Sequence, residues 1–344
     1  MKKLILSLTT FYLLSLPAWA NPTKENEDSG FLQIDYLIVS KWDPVTNNWV
    51  NNTRQVYQFD EFNRVLGIVT LNINTNDPIS RVSYAYDENG SMIEELFQNW
   101  INGEWINSIR YLMEYDNYAR RTSLTIYIWN NNKWDYSSRQ INYIYNEANL
   151  LISYDNDLWS GTEWYTAYYD NFTYDLAGNL IYRIRKNITG DQAFQIYYNY
   201  NDDNMRTQML VQSWQKTTST WIDSHRDLYY YNSCGIRIQA IRERFSNGSW
   251  KNEQNSEYFY KIIFPEGGSQ EKVPICHKGH TVNVSVNAVD AHLAHGDCIG
   301  NCMDETKSVV EESACNDEMP VKPQIFVFPN PASHVITVRI ENTD

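Results

Sequence analysis

After its first twenty residues the chain has no apolar run long enough to cross a bilayer as a helix. It is also poor in basic residues, with 28 Lys and Arg against 42 Asp and Glu, which gives a formal net charge of −14. A chain of that charge repels phosphate backbones, so nucleic acid is excluded as a partner. No segment shows a known catalytic spacing such as HExxH, so no residue is assigned a catalytic role.

Aromatic residues are abundant instead, with 26 Tyr and 12 Trp among the 344 residues. Abundant Tyr and Asn together with little Ala or Leu favour strands and turns over helices. The length exceeds that of a usual single-core domain, so internal repeats or several modules are expected.

The first twenty residues have the pattern of a secretory signal peptide. A short cationic start is followed by an apolar run, and Ala18 and Ala20 place small residues before a cleavage site at Asn21. The alternative, an N-terminal anchor helix, needs about 20 apolar residues, and this run is shorter. We therefore expect an exported protein without an integral membrane segment after cleavage, whose mature chain begins with a short lead over residues 21–38.

A short aromatic motif recurs through residues 39–264. Most copies have two aromatic residues separated by one residue and then Asp or Asn, at intervals of 26 to 31 residues; the third copy has Met113 in the first aromatic position. The copies are YQFD ending at Asp60, YAYD at Asp87, MEYD at Asp116, YIYN at Asn146, FTYD at Asp175, YNYN at Asn201, YYYN at Asn232 and a degraded YFYK at Lys261. We predict eight copies of two antiparallel strands each, because alternating apolar and polar residues flank a turn in every copy.

The residues after the motif predict that turn. Asp and Asn side chains accept hydrogen bonds from their own following backbone, and a Gly or Asn then accepts a positive φ. Such residues occur in DENG (87–90) and DLAGN (175–179).

Tryptophans bracket the other turn of most copies. The clearest pairs enclose four residues each, and the pairs Trp42/Trp49 and Trp214/Trp221 enclose six. The four-residue pairs are Trp100/Trp105, Trp129/Trp134 and Trp159/Trp164. Residues in these places face each other across a hairpin, and stacked from copy to copy they would form a column of indoles. The column either closes the hairpins or is a ligand-stacking surface for carbohydrate or another surface polymer; side-chain pairing alone is enough to explain the spacing.

The predicted fold class is all-β, built of tandem antiparallel hairpins that form a curled meander, a shell or a propeller. An outer-membrane barrel is disfavoured because both sets of turns are short and polar residues interrupt either face of most strands. The segment FTYDLAGNL (172–180) resembles the YD repeats of Rhs-type surface proteins, and this resemblance implies a wound β-sheet shell.

A breaker-rich linker over residues 265–274 precedes a Cys/His module at residues 275–302. Four of the six histidines and three of the five cysteines lie in this module. It predicts a strand with Val282, Val284 and Val286 on one side, then a short helix capped by Asn287 and ended by Gly296. It resembles a short Cys/His motif that recurs in exported bacterial proteins.

The module offers donor atoms for a zinc-like divalent metal site. The candidate ligands are His277, His280, His292, His295 and Asp297. Export favours disulfides over thiolate ligands, so we expect Cys276 to pair with Cys302 and Cys298 with Cys315, leaving Cys234 unpaired. The alternatives are a disulfide-closed spacer with surface histidines and, less favoured, a metal-dependent hydrolase.

The chain ends with an acidic linker at residues 303–323 and the segment 324–344. That segment carries Phe328, Pro329, Asn330 and Pro331, followed by a small residue and an alternating strand. It resembles the start of the C-terminal sorting domain of the type IX secretion system of Bacteroidota. The resemblance implies a truncated β-sandwich domain, the secretion machinery as a partner, and a secreted or cell-surface location.

These expectations combine into a secreted or surface-exposed repeat protein that acts in binding, adhesion or structure. The alternatives are a secreted hydrolase using the histidine-rich module and an inert stalk for a further module. A sorting signal by itself indicates nothing about activity.

Overall fold

The computed structural model describes residues 31–232, 234–263, 272–302, 323–329 and 336–342. Most of them lie in sixteen long antiparallel strands. The strands are β1 (Phe31–Asp43), β2 (Asn48–Phe59), β3 (Val65–Asn72), β4 (Pro78–Tyr86), β5 (Met92–Ile101), β6 (Glu104–Tyr115), β7 (Arg121–Asn130), β8 (Lys133–Tyr145), β9 (Leu151–Trp159), β10 (Trp164–Tyr174), β11 (Leu180–Asn187), β12 (Gln192–Tyr200), β13 (Arg206–Gln215), β14 (Thr220–Tyr231), β15 (Arg237–Ser246) and β16 (Ser249–Ile263).

The sixteen strands form one closed sheet. Each pairs with the next in sequence, and β16 pairs back onto β1, with Leu37 opposite Tyr258. Closure leaves neither β1 nor β16 with an unpaired edge there, which is the physical demand that a long antiparallel meander must meet. The predicted all-β hairpin repeat is therefore confirmed, and its form is a closed barrel-like shell.

The first repeat begins earlier than the sequence suggested. Strand β1 starts at Phe31, inside the segment predicted as a lead over residues 21–38. The strand extends this far because the sheet closes by pairing β1 with β16. Ile34 and Leu37 are buried there beside Tyr258 and Tyr260 of β16, and the repeat pattern of β1 alone does not indicate this contact.

The aspartate or asparagine of the repeat motif builds a turn by accepting backbone hydrogen bonds. In the fifth copy Asp175 Oδ1 accepts from the N–H of Ala177 at 2.9 Å and of Asn179 at 2.8 Å. The residue three positions after the motif then has a positive φ, as at Gly178 with φ 84°. Seven copies accept the bond from the residue four positions on at 2.8–3.0 Å: Asp60, Asp87, Asp116, Asn146, Asp175, Asn201 and Asn232.

The tyrosine before that residue ties each copy to the preceding strand. Its hydroxyl donates to the backbone carbonyl of the first or second residue of that strand, at 2.7–3.0 Å. The seven donors are Tyr86, Tyr115, Tyr145, Tyr174, Tyr200, Tyr231 and Tyr260. Each bond satisfies a carbonyl beside a turn and so fixes the position of one hairpin against the next.

A smaller unit packs against the end of the shell that carries these turns. It consists of β17 (Lys272–His277), β18 (His280–Ser285), a 3₁₀ turn at Val286–Ala288, helix α1 (Val289–Ala294) and β19 (Cys298–Ile299). Its buried residues Val273, Ile275 and Val289 form one apolar cluster with Ile262 of β16. The unit therefore shares a core with the shell and is not an independent appendage.

The disulfides also join the two parts. Cys276 is bonded to Cys302, the pairing expected from the sequence. The expected Cys298–Cys315 pair is wrong, because Cys298 is bonded to Cys234, which was expected to be unpaired. The turn after Asn232 comes within bonding distance of β19 only in the folded molecule, whereas Cys315 lies outside the described residues.

One turn residue carries strain that a substitution should relieve. Ala119 has φ 57° at the position where the other described copies have Gly or Asn. A residue with a Cβ is disfavoured there, so we expect Ala119→Gly to raise the free energy of unfolding by about 1 kcal/mol. Chemical denaturation measures it. The reciprocal control is Gly178→Ala, which should destabilise; an unchanged or lower stability of Ala119→Gly would contradict the expectation.

A buried carboxyl gives a pH-dependent prediction. Glu95 is 5% exposed between Tyr84 and Tyr111, and burial raises its pKa to about 7, against a hydrogen bond with Tyr84 and the charge of Arg121. The folded state therefore keeps a proton on Glu95 up to about pH 7, whereas the unfolded state releases it near the ordinary pKa of 4.5. The free energy of unfolding consequently falls as the pH rises from about 4.5 to about 7. Glu95→Gln should raise the melting temperature at about pH 8 by a few degrees and change it much less at about pH 5.

Thermal unfolding followed by circular dichroism at both pH values tests this. The exposed Glu88 lies in the turn that joins β4 and β5 and provides the control. Glu88→Gln should change the melting temperature by the same amount at both pH values. An equal shift of Glu95→Gln at the two pH values would show that its carboxyl does not titrate in that window.

Candidate metal centre and tryptophan face

The candidate metal centre is made by three short elements of the Cys/His unit. His277 is the last residue of β17 and is followed by a tight turn in which Lys278 and Gly279 have positive φ. His292 lies in α1. Asp297 follows Gly296, whose φ of 86° reverses the chain after the helix. The N–H of Asp297 donates to the carbonyl of His292 at 3.1 Å, which brings the carboxylate back beside the helix.

Gly296 ends the helix as the sequence predicted, but the start differs. Ala288 occupies the N-cap position without a side-chain hydrogen bond, and Asn287 lies in the preceding 3₁₀ turn. The predicted cap at Asn287 is therefore wrong by one residue, because the 3₁₀ turn continues into the helix without a break.

The three side chains contact each other directly. Asp297 Oδ2 lies 2.6 Å from His277 Nδ1 and 2.8 Å from His292 Nδ1. The imidazole rings are nearly perpendicular, with centroids 5.3 Å apart. Asp297 is 7% exposed, whereas His277 and His292 are 36% and 24% exposed. The carboxylate is therefore enclosed while both rings remain reachable from solvent.

Hydrogen bonding controls the electrostatics of this group. The bond from His277, aided by the bond from His292, holds the pKa of Asp297 below its ordinary value, although burial acts the other way. The carboxylate is thus ionised where two imidazoles meet it. One ligand atom from each of the three residues lies within 4.8 Å of the others. Imidazole nitrogen and carboxylate oxygen are the donor atoms that zinc takes in sites with three protein ligands.

Two of the predicted ligands are not in this group. Neither His280 nor His295 belongs to the set of ligand atoms that converge among the described residues, so the converging set is smaller than the predicted set of four histidines and Asp297. His295 is the C-cap of α1, where the helix has already ended, and spacing of three along a helix no longer places it beside His292. His280 is opposite His277 across the turn.

Both disulfides adjoin the centre. Cys276 precedes His277 and is bonded to Cys302, and Cys298 follows Asp297 and is bonded to Cys234. Cys276 and Cys298 also pair across β17 and β19. Two of the three candidate ligands are thus fixed by covalent links next to them in sequence. The contribution of Cys234 was missed because its repeat turn lies 64 residues before Cys298.

A second candidate surface is the face of the sheet that carries the tryptophan pairs. Facing rings lie 4.9–5.1 Å apart between centroids, mostly edge to face. The pairs are Trp42/Trp49, Trp100/Trp105, Trp129/Trp134, Trp159/Trp164, Trp214/Trp221 and, not foreseen, Phe245/Trp250. This geometry confirms the predicted pairing across hairpins.

The expected continuous column of indoles is interrupted by other side chains. The guanidinium groups of Arg81, Arg139 and Arg226 lie 4.5–4.7 Å from the ring centroids of Trp105, Trp164 and Trp250. Tyr136 similarly lies 5.2 Å from both Trp159 and Trp164. Each arginine lies two strands before the strand of the tryptophan that it contacts. The local spacing of residues does not indicate this relation.

Several predicted segments lie outside the described residues or at their margin. The signal peptide, the acidic linker and the motif residues Asn330 and Pro331 are outside them. Phe328 and Pro329 end β20 (Pro323–Pro329), which pairs with β21 (Ile336–Asn342), and β21 also pairs with β16. Among the described residues no helix has the length and apolar character needed to span a membrane.

Comparison with known proteins gives no family. No protein family and no curated sequence matches the chain. A Tc holotoxin pore structure of Photorhabdus luminescens aligns at 12% identity and a TM-score of 0.28, over 66% of this chain and 13% of that one. A porin-like protein of Bacteroides uniformis aligns at 10% identity and a TM-score of 0.32, over 65% and 95%. A DUF3836 protein of Bacteroides vulgatus aligns at 14% identity and 0.14, over 41% and 89%. These scores carry no functional assignment.

Proposed function

We propose that the protein is a secreted or cell-surface binding protein in which a closed repeat shell carries a divalent-metal centre. The observation that supports it most is the convergence of His277, His292 and Asp297 from three separate elements. The shell accounts for most of the chain and is built from turn and pairing interactions that serve structure. In the Cys/His unit, by contrast, the donor atoms of His277, His292 and Asp297 converge although the packing of the core does not require it.

The donor set favours zinc or a similar transition metal over calcium or magnesium. Two imidazole nitrogens and one carboxylate suit a borderline-soft ion, whereas calcium and magnesium take oxygen ligands. Three protein ligands leave a coordination position for water or for a group of a bound partner. A metal would replace the protons that now join both rings to the carboxylate.

Export supports the same proposal from the sequence. The N-terminal pattern of residues 1–20 and the two disulfides suit an oxidising compartment. For the route we propose the type IX secretion machinery, on the resemblance of residues 324–344 to its sorting domain. Removal of residues 323–344 should then retain the protein inside the cell in a host that has this system.

The metal proposal is tested by zinc titration with native mass spectrometry on the full chain. We expect one zinc ion per chain, with His277→Ala and His292→Ala each weakening binding by about tenfold or more. His280→Ala and His295→Ala are matched controls from the same unit and should bind as the parent does. Equal losses in all four variants would restore the four-histidine arrangement, and the absence of any bound ion would refute the centre.

A second candidate function is binding of carbohydrate or another surface polymer on the tryptophan face. The favouring observation is that every facing ring pair is only partly buried, and three pairs carry an arginine beside them. Exposed indole faces stack on the apolar faces of sugar rings, and an adjacent guanidinium offers hydrogen bonds to hydroxyls or carboxylates. The alternative is that the tryptophan pairs only close their hairpins and bind no ligand.

Glycan-array binding distinguishes the two uses. Trp105→Ala combined with Trp134→Ala should reduce binding by about tenfold. The matched control replaces Trp42 and Trp49 by alanine, which removes the same number of rings but none that has an arginine beside it in the described part of the chain, whereas Trp105 lies beside Arg81. Binding that survives loss of Trp105 and Trp134 would leave the rings with a structural role only.

The metal-dependent hydrolase is the remaining alternative. It requires hydrolysis by the purified protein that His292→Ala abolishes and His295→Ala does not. Zinc binding without such an activity supports the binding proposal.

A further inference from the structure

Three arginines occupy the same place in the repeat. Arg121, Arg206 and Arg237 each follow the motif Asp or Asn by five residues and begin β7, β13 and β15. All three side chains are partly buried, and in each the Nε atom is enclosed without a hydrogen-bond partner in the described part of the chain. An enclosed Nε–H group that the protein itself leaves without an acceptor calls for an explanation.

The surroundings separate one of the three from the other two. Arg121 lies near the buried carboxyl of Glu95, whose ionised form it favours. Arg206 and Arg237 have no ion pair with any described residue. Arginines further along a strand do have such a partner: Arg183 and Arg185 of β11 bond Asp170 at 2.8 and 2.9 Å.

Arg206 and Arg237 are also neighbours of each other. The Tyr231 hydroxyl donates to the carbonyl of Arg206 at 2.8 Å and lies 3.3 Å from Nη2 of Arg237, which donates to it. Tyr229, on the strand between them, has the Arg237 guanidinium 4.6 Å from its ring centroid. The Arg206 guanidinium lies 4.9 Å from the ring of Tyr198.

The charges around this pair do not balance. The carboxylate of Asp227 acts on Tyr229, and its two oxygens are bonded by Arg242 at 2.7 and 2.8 Å. Burial raises the pKa of Tyr229 to about 12, Asp227 adds to that rise, and both arginines act against it. The phenol is therefore neutral, and two guanidinium groups remain with aromatic rings and hydroxyls as their only described partners.

Cation–π contacts offset only part of the cost of enclosing a guanidinium group. The planar fork of a guanidinium group matches an oxyanion through paired N–H donors, and two forks that share one tyrosine can converge on a single group. We propose that Arg206 and Arg237, with Tyr229 between them, form a binding site for a sulfate or phosphate group, free or carried by a polymer. This site is independent of the metal centre and of the tryptophan face.

Isothermal titration of the full chain with inorganic sulfate and phosphate, at constant low chloride, tests the site. We expect one anion per chain, and a loss of about tenfold or more in affinity in Arg206→Met and in Arg237→Met. Arg121→Met is the matched control, because it removes an arginine from the same repeat position at a place where a carboxyl, that of Glu95, is already nearby. It should bind as the parent does.

Thermal unfolding provides a second readout if a methionine variant folds poorly. Sulfate should raise the melting temperature of the parent and of Arg121→Met, and should not raise that of Arg206→Lys or Arg237→Lys, which keep the charge but lose the fork. Comparison of dextran sulfate with plain dextran distinguishes a polymer-borne group from a free anion. No binding of sulfate, phosphate or dextran sulfate, or an equal loss in Arg121→Met, would overturn the proposal.

Discussion

The turn made by the motif Asp or Asn, together with the hydroxyl of the tyrosine before it, is the interaction on which the rest of the structure depends. The side-chain oxygen captures the backbone N–H groups of its own turn, and the tyrosine bonds a carbonyl of the preceding strand. One bond makes the chain reverse, and the other fixes the reversed hairpin against its predecessor. Each bond occurs in seven of the described copies and both occur together in six, and they set the register from β3 to β16. With a one-residue slip in any copy, every later side chain would change faces.

Closure adds a demand that a single hairpin does not have. Ionisable residues on the sheet must be paired with one another, since burial of an isolated charge is costly. Asp170 is fully enclosed and accepts hydrogen bonds from both Arg183 and Arg185. Asp227 accepts hydrogen bonds from Nε and Nη2 of Arg242. These pairs join neighbouring strands, so they strengthen the same register that the turns establish. The arginines beside the tryptophans act in the same way and replace a stack of bare indoles by alternating rings and cations.

The Cys/His unit owes its geometry to the shell. Its apolar residues close over Ile262, and the Cys234–Cys298 bond attaches β19 to a repeat turn. Helix α1 has only six residues, too few to be stable alone, and depends on this shared core. Because His277 and Asp297 adjoin bonded cysteines, the donor group is held by the covalent frame and does not depend on the helix alone. This separation between a repetitive frame and a small donor-bearing unit is what the binding proposal requires.

The sequence by itself determined the all-β class, the eight hairpins, the Asx turns and the facing of the tryptophans, because each depends on residues within one or two strands. It also identified the segment that holds the candidate metal centre. Only the tertiary structure decided that β16 returns to β1, that Cys234 rather than Cys315 bonds Cys298, and that three donors converge instead of five. It also decided that Arg206 and Arg237 have no carboxylate partner among the described residues. Each of these joins residues that are distant in sequence or depends on how a short helix ends, and local periodicity contains no information about which distant groups the closed sheet brings into contact.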